Sequence, residues 1–289
     1  MLCENNWMRL SWGDRRERKN KENFEVSISS QLKSIPSFQQ ACDEVAVEIA
    51  NKYDNLFVAM SGGCDSEHVA NVFFRNKIPF TPMFVTYKKT VHNDQRYERW
   101  YANLWCRKHN VKPLEVDVSE YINSSLDRQR YIKFRPRLGL GFLTQSCLID
   151  IVNKHQGHIV TGMQLEYYPD QDQMTYLEPQ LGNYQGFVMQ ESDGYMDLLA
   201  PNQHPWAFFY WSPKLLASFV NSWNLDLNMQ ENKAEIYDVS PRPKMLYPAD
   251  FYPEKITKMH HGLASKWGTR DCALLGTKQE LLKKLISNH

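Results

Sequence analysis

Mostly apolar runs alternate with helix-like segments through the first half of the chain. Runs typical of strands buried on both faces of a sheet lie at 55–60, 80–87, 113–118 and 158–162. Apolar residues at helical spacing predict helices at 36–51, 66–77, 94–110 and 140–155. Strands that alternate with helices predict an α/β fold, with a doubly wound parallel sheet and helices on both faces. Ligands of such sheets bind at the carboxyl ends of the strands.

The pattern changes after about residue 166. Asp, Gln, Gly and Pro are frequent in residues 166–205, which predicts long loops with short irregular elements. The prolines of 240–253 predict an ordered loop, and the aromatic residues of 206–211 are predicted to lie in the core. The C-terminal region is therefore predicted to be irregular and partly helical.

Two helices in this region are predicted from their start signals. Ser212 and Pro213 suit the N-cap and first position of a helix at 211–223. Thr277 suits the N-cap of a terminal helix at about 278–286.

Composition excludes several classes of protein. The 289 residues include 34 Lys and Arg against 33 Asp and Glu, so a long-range basic field for nucleic acid is not indicated. The six cysteines are scattered and contain no C-x-x-C pair, which favours reduced thiols and a cytoplasmic protein. No apolar run is long enough to span a membrane, and residues 1–22 have no signal-like apolar stretch. The charged run at 13–23 predicts a solvated segment.

The strongest chemical signal is a Gly-rich turn between a predicted strand and a predicted helix, with the sequence Ser61-Gly62-Gly63-Cys64-Asp65-Ser66. Two glycines let the backbone turn sharply and approach a phosphate closely. Their N–H groups and those of the helix start form an anion-binding nest, to which Ser61 and Ser66 can add hydroxyl donors. Asp65 suits a Mg²⁺ ion that bridges phosphates, or a helix cap. Cys64 is predicted to be a small packing residue.

This string resembles the PP-loop of the ATP pyrophosphatases, the adenine nucleotide alpha hydrolase-like enzymes. That superfamily includes asparagine synthetase, GMP synthetase, NAD synthetase, tRNA-thiolating enzymes, phosphoadenylylsulfate reductases and 7-cyano-7-deazaguanine synthase. The resemblance covers roughly residues 52–170 and implies a Rossmann-like fold, with ATP and Mg²⁺ as cofactors. It also implies cleavage between the α- and β-phosphates, through an adduct of AMP with the substrate.

Two further strand ends match the superfamily pattern by position. The resemblance implies that Val85 and Thr86, at the end of the second strand, hold adenine through the backbone. At the fourth strand end, Gly162 and Glu166 resemble the G-x-x-x-E turn of NAD synthetase-like members. There the glycine implies close passage of the nucleotide, and the acid implies a Mg²⁺ or substrate ligand.

Cations must offset the charge of ATP and pyrophosphate. The candidates flank the predicted strands and the proline-rich segment: Lys88, Lys89, Arg135, Arg137, Arg242 and Lys244. Lys244 is predicted to be catalytic together with Ser61 and Asp65.

This sequence lacks three features of particular members of the superfamily, which reduces the number of members that it resembles. The four-cysteine zinc site of deazaguanine synthases is missing, because only Cys272 lies near the C-terminus. Thiolating members use paired or dedicated cysteines, and this sequence has no evident cysteine pair. The cysteine near the start is Cys3 and not the second residue, so an attached glutaminase is not expected. Ammonia would then be free or come from a separate donor protein.

The predicted organisation has three parts: a polar extension at 1–35, a PP-loop ATP-binding domain at 36–170, and a substrate or lid region at 171–289. The predicted function is adenylation of a small-molecule or nucleobase substrate for amide or amine transfer. Two alternatives stay open: nucleotide binding without turnover, and sulfur transfer or nucleotide-sulfate reduction with a sulfur donor partner. The sequence also leaves a homodimer open.

Overall fold

A computed structural model of the chain describes residues 2–4, 7–12, 24–86, 98–117, 140–168, 186–190, 207–240 and 272–286. The chain divides into two compact units. The parallel-sheet unit comprises Ala46–Gly162 and Val239–Gly268, and the antiparallel-sheet unit comprises Met1–Val45, Met163–Asp238 and Thr269–His289. The divisions predicted at residues 35 and 170 stay predictions.

The described residues form ten strands and seven α-helices. The strands are β1 Leu2–Glu4, β2 Met8–Trp12, β3 Phe24–Ile28, β4 Leu56–Ala59, β5 Thr81–Thr86, β6 Leu114–Asp117, β7 His158–Thr161, β8 Glu166–Tyr168, β9 Gly186–Gln190 and β10 Cys272–Gly276. The helices are α1 Phe38–Lys52, α2 Cys64–Arg75, α3 Glu98–His109, α4 Leu140–Lys154, α5 Pro213–Ser222, α6 Met229–Tyr237 and α7 Lys278–Leu285. Among them, no helix combines the length and apolar character that a bilayer crossing requires.

The parallel-sheet unit confirms the predicted α/β fold. Its four strands lie in the order β6-β5-β4-β7, and every neighbouring pair is parallel. The central strand β4 is buried along most of its length, as are β5 and β7, which explains why their sequences are apolar rather than alternating. The helices between these strands also begin and end within a few residues of the predicted positions.

Helices α2 and α3 pack side by side over this sheet. Phe73 of α2 contacts the ring of Phe80, with 5.8 Å between ring centroids. Trp105 of α3 lies 5.9 Å from both Phe74 and Phe80, and its indole N–H donates to Asn71 Oδ1 at 2.7 Å. These contacts hold the carboxyl-terminal half of α2 against α3.

The antiparallel-sheet unit contains strands that the hydrophobic pattern did not predict. Strands β1, β2 and β3 form a meander, and β8, β9 and β10 form a second antiparallel sheet in the order β10-β9-β8. Leu32 also forms an isolated parallel bridge with Ile286. The charged run at 13–23 lies outside the described residues. In 166–205, the described parts are β8 and β9 rather than loop alone.

Both predicted helix starts in this unit are confirmed. Ser212 Oγ accepts a hydrogen bond from Leu215 N at 3.2 Å, with Pro213 at the first helical position. Thr277 and Glu280 form a reciprocal capping box at the start of α7. Lys278 then reaches back to the end of α5, where its ammonium donates to the carbonyls of Asn221 and Trp223, each at 2.7 Å.

The predicted aromatic core is also confirmed for the described residues 207–211, all of which are buried. Phe209 stacks on Phe38 with a centroid distance of 6.4 Å. Phe219 and Tyr237 complete this cluster, at 5.6 and 5.7 Å from Phe209. Burial of four rings accounts for the ordered packing of α5 and α6 despite the polar sequence of α6.

A buried histidine marks the amino end of β7. The imidazole of His158 stacks on the ring of Tyr53, with centroids 3.7 Å apart and planes 3° apart. Burial, with a smaller contribution from the nearby Lys52, lowers the pKa of His158 to about 3. The folded protein therefore holds this side chain neutral.

We expect the stability of the parallel-sheet unit to fall in acid because of His158. In an unfolded chain the pKa of histidine is about 6.5, so the unfolded state binds the extra proton first as pH falls from 6.5 toward 3. At pH 5 the loss relative to pH 7 amounts to about 2 kcal/mol. Urea unfolding at both pH values should show this loss in the wild type and not in His158→Phe, which keeps an aromatic ring against Tyr53. Equal losses in both proteins would contradict the assignment.

Candidate functional site

The Gly-rich loop of residues 61–66 lies at the carboxyl end of the central strand. It follows β4, and α2 begins within it at Cys64. The chain passes from β4 to β5 and β6 on one side, and then returns to β7 on the other side of β4. The loop therefore lies where the strand order reverses, which is where open α/β sheets bind their ligands.

The two glycines of the loop have different conformations. Gly62 has φ 102°, a left-handed value at which a side chain would be strained. Gly63 is extended, with φ −70° and ψ 162°, and is the N-cap of α2. The turn thus requires a glycine at position 62. At position 63 the absence of a side chain leaves the first N–H groups of α2 accessible to a ligand.

Hydroxyl groups hold the loop in this shape. Ser61 Oγ accepts from Gly63 N at 3.1 Å and lies 3.3 Å from Ser66 Oγ. Ser66 Oγ donates to the carbonyl of Gly63 at 3.1 Å and accepts from Gly62 N at 3.3 Å. Ser66 is buried and Ser61 is exposed, so the first fixes the turn from inside while the second faces solvent.

The start of α2 has the electrostatics of an anion site. No side chain caps the helix at Gly63, and the first N–H groups of a helix have no intrahelical acceptor. Aligned peptide dipoles add partial positive charge at this end. Asp65, half-buried in the first turn, supplies a carboxylate beside this positive end. Cys64 is buried, as expected for a packing residue.

Gly162 lies directly against this helix start. A Cβ atom built on it would come within 2.8 Å of both the carbonyl carbon of Asp65 and the amide nitrogen of Ser66. Both neighbours are backbone atoms and cannot rotate away. The glycine after β7 is therefore required for β7 to pack against the loop, a reason that the sequence alone did not provide.

The end of β5 lies at the same edge of the sheet. Thr86 is buried and Val85 is half-buried, and the register places Thr86 opposite Asp117 at the end of β6. The role of Val85 and Thr86 in holding adenine stays a prediction. Asp117 is an exposed carboxylate that sequence reasoning did not single out, although its place at a strand end was the available signal.

Arg99, in the first turn of α3, is another residue that sequence reasoning missed. Its guanidinium donates to Glu115 at 2.6 Å and lies 5.5 Å from the centroid of the Phe84 ring. Its Nε and Nη1 atoms are buried and have no hydrogen-bond partner in the described part of the chain. No motif marks this arginine, because the residues it contacts are distant in sequence.

The described structure does not test the remaining predicted residues. Glu166 belongs to the antiparallel-sheet unit, where the hydroxyl of Tyr168 donates to its carboxylate. Lys244 and the other predicted cations, Lys88, Lys89, Arg135, Arg137 and Arg242, lie outside the described residues. Their predicted roles stay predictions.

A Mg²⁺ ion that accompanies a nucleotide is typically shared between protein carboxylates and phosphates. Within the described ranges, no three His, Cys, Asp or Glu side chains lie together as metal ligands. Mg²⁺ is typically held by one or two carboxylates together with substrate phosphates and water. Asp65 fits the carboxylate that such an arrangement needs, since it lies in the same turn as the anion-binding N–H groups.

Comparison by sequence gives no relatives: no family model matches the chain, and no curated protein matches it. Comparison by structure gives distant likenesses. A glutamine-dependent NAD+ synthetase from Acinetobacter baumannii, in complex with ADP, matches with TM-score 0.32 and 15% identity over 48% of this chain. The match spans only 30% of that synthetase.

Two other solved structures match over more of the chain. The NH3-dependent NAD synthetase from Campylobacter jejuni has TM-score 0.32 and 13% identity, over 80% of this chain and 95% of that one. A U34-tRNA thiolase from Methanococcus maripaludis has TM-score 0.41 and 12% identity, over 85% and 77% of the two chains. These neighbours are members of the superfamily that residues 61–66 resemble. At such scores the likeness carries no argument about substrate or activity.

Proposed function

We propose that this chain is an ATP-dependent enzyme of the PP-loop class that forms AMP and pyrophosphate while adenylating a substrate. The observation that carries the proposal is the loop of residues 61–66. It combines a left-handed glycine, two linked serine hydroxyls and an uncapped helix start at the reversal point of a parallel sheet. Such a turn binds phosphate through backbone N–H groups.

The loop favours pyrophosphate over transfer of a γ-phosphate. A kinase-type P-loop continues into a lysine that reaches the terminal phosphates, followed by Ser or Thr. Here the turn continues into Cys64, Asp65 and Ser66, with no lysine. A cradle of N–H and hydroxyl donors suits a leaving group that stays bound while the chemistry occurs at the α-phosphorus.

The proposed reaction has two displacements. A substrate oxygen forms a bond to the α-phosphorus of ATP, and the bond from that phosphorus to the α,β-bridging oxygen breaks, which releases pyrophosphate. A nucleophile then forms a bond to the activated carbon of the adduct, and AMP leaves with the substrate oxygen. In-line displacement requires little covalent chemistry from the protein, so positioning and charge stabilisation dominate.

The residues of the chain have distinct proposed roles. Ser61 and the loop N–H groups bind and orient the β- and γ-phosphates, and Ser66 keeps the turn in its binding shape. Asp65 would hold the Mg²⁺ ion, which supplies charge neutralisation on the phosphates when bound. Lys244 is proposed to stabilise negative charge on the α-phosphate, and Glu166 is proposed as a second acid toward metal or substrate.

The cysteines favour ammonia or an amine over a sulfur compound as the nucleophile of the second step. The four whose side chains the structure describes, Cys42, Cys64, Cys106 and Cys147, are all buried. Burial raises the pKa of Cys106 to about 11, which keeps this thiol protonated and unreactive. Amide or amine formation with free ammonia, or with ammonia from a donor protein, is therefore the preferred second step.

Product analysis tests the proposal directly. The purified chain is incubated with Mg²⁺, ATP labelled at the α-phosphate, ammonium ions and a panel of carboxylate and nucleobase acceptors. We expect AMP and pyrophosphate in equal amounts, and an AMP adduct when ammonium is withheld. ADP and orthophosphate as products would contradict the α-phosphate assignment. ATP binding without pyrophosphate release from any acceptor in the panel would instead support the alternative of a nucleotide-binding protein without turnover.

A further inference from the structure

Arg99 joins the start of α3 to strands β5 and β6 of the parallel sheet. Its guanidinium lies 5.5 Å from the centroid of the Phe84 ring of β5 and donates to the Glu115 carboxylate of β6 at 2.6 Å. Phe84 and Glu115 are directly opposite each other in the register of the two strands. One arginine side chain therefore contacts a cross-strand pair of residues on two neighbouring strands.

This pair lies just before the carboxyl-terminal ends of both strands. Side chains two residues apart in a strand lie on the same face of the sheet. Thr86 follows Phe84 by two residues and is opposite Asp117, so this next pair lies on the same face, about 7 Å closer to the ligand-binding edge. Thr86 is the last residue of β5 and is predicted to hold adenine through its backbone. Arg99 thus supports the strand end at which the nucleoside half of ATP is predicted to bind.

Stability alone does not account for an arginine at this position. Its side chain is only 11% exposed, and within the described residues its Nε and Nη1 atoms have no hydrogen-bond acceptor. A buried donor without an acceptor costs free energy. A cation in the first turn of a helix is also disfavoured by the positive end of the helix dipole. A methionine at position 99 would avoid both costs and could still cover the Phe84 ring.

The guanidinium makes two contacts that an apolar side chain cannot make together. It interacts with an aromatic ring as a cation, and it also donates a hydrogen bond to a carboxylate. The second contact ties β6 to the start of α3. In the described sheet β6 is an edge strand that pairs only with β5, and Glu115 is 50% exposed. Without Arg99, water would take the place of this contact with the Glu115 carboxylate, and β6 would lose its link to α3 at this level.

We propose that Arg99 is a positioning residue for the nucleotide. By contacting Phe84 and Glu115 together, it fixes the last residues of β5, rather than binding the phosphates itself. The inference rests on the proposed function, because it requires that ATP binds with its phosphates at the loop of residues 61–66. Loss of Arg99 then weakens the binding of nucleotides and not of bare polyphosphate. A role in stability alone would lower the free energy of unfolding and leave both affinities unchanged.

Calorimetric titration with ATP and with inorganic tripolyphosphate, each in the presence of Mg²⁺, tests the proposal. Tripolyphosphate presents the phosphates of ATP without the nucleoside. We expect Arg99→Met to lose ATP affinity at least about tenfold and tripolyphosphate affinity less than about twofold. Arg99→Lys keeps the charge but lacks the planar group, so its loss of ATP affinity should be smaller. It takes the place of Arg99→Met in the test if that variant does not fold.

Two further variants separate the contact with Glu115 from the general packing of α3. Glu115→Ala should also weaken ATP binding, and Arg99→Met with Glu115→Ala should lose about as much as Arg99→Met alone, because the two residues act through one contact. Trp105→Phe removes the 2.7 Å hydrogen bond from α3 to Asn71 and leaves the strand ends unchanged. It should retain ATP affinity within about twofold, since it is remote from the site.

Three outcomes would overturn the proposal. Arg99→Met may bind no differently from the wild type in the ATP titration, or it can lose ATP and tripolyphosphate affinity equally, which would indicate direct contact with the phosphates. The third is that Trp105→Phe loses as much ATP affinity as Arg99→Met. Failure of the wild type to bind ATP would refute the proposed function and the inference together, whereas unchanged ATP binding by Arg99→Met refutes the inference alone.

Discussion

Alanine at both Ser61 and Asp65 should lower the rate of AMP formation at least about 100-fold. Ser61 Oγ accepts from Gly63 N and contacts Ser66 Oγ, so its loss frees the turn and removes an exposed donor. Loss of Asp65 removes the carboxylate proposed to hold Mg²⁺ at the helix start. Because both residues are proposed to act on the same phosphates, the double variant should lose less than the product of the single losses.

A matched pair of substitutions separates this effect from a general loss of stability. Ser34 and Asp54 are exposed residues of the same types, and Ser34→Ala with Asp54→Ala should retain turnover. Rates and ATP affinity are measured for the single and double variants, with circular dichroism to verify folding. If Ser61→Ala and Asp65→Ala both bind and turn over ATP like the wild type, the loop is not the nucleotide site.

Gly162→Ala should lose ATP affinity at least about tenfold and destabilise the parallel-sheet unit by about 1–3 kcal/mol. The added methyl would lie 2.8 Å from backbone atoms of Asp65 and Ser66. Since a backbone cannot change rotamer, the first turn of α2 must shift away from β7. That shift moves the N–H groups that are proposed to hold the phosphates.

Gly157, at the opposite end of β7, provides the control. A Cβ there would lie 2.4 Å from the ring of Phe57 and 2.6 Å from the carbonyl oxygen of Asn55. Gly157→Ala should therefore destabilise the same unit by a comparable amount, yet leave the loop unchanged. Calorimetry of ATP binding and urea unfolding of both variants provide the comparison. Equal loss of ATP affinity in both would indicate that Gly162 acts only through stability.

The parallel sheet was predictable because its signals are local. Strand β4 is a short apolar run, α2 has helical spacing, and the Gly-rich turn joins them, so fold and loop could be inferred together. Gly162 was found by its resemblance to a family turn. Its actual contact with Asp65 and Ser66 depends on the packing of β7 against α2, and no sequence pattern contains that information.

The antiparallel strands were not predicted, because some pair with strands that are distant in the sequence and others have only a short alternation of apolar and polar residues. Met8 and Leu10 are buried and Arg9 is exposed, so the period-two pattern of β2 is present but short. Strand β9 pairs with β10, some 80 residues later in the sequence, and nothing in either segment identifies the other. The apolar residues of α6 do not follow a clear helical spacing, and its one clear signal was the capping box of Asn228 and Glu231.

The bridge between Leu32 and Ile286 has a consequence for the order of assembly on the ribosome. It pairs residues near opposite ends of the sequence, and β3 likewise contacts β10. Domains form as units while the chain emerges, N-terminal parts first. Here the contacts of Leu32 and β3 with the last elements form only after those elements are synthesised, whereas the strands and helices of 46–162 have all their sheet partners much earlier. We therefore expect the loop of residues 61–66 to form on the nascent chain before Leu32 and β3 have made their contacts with the C-terminal elements.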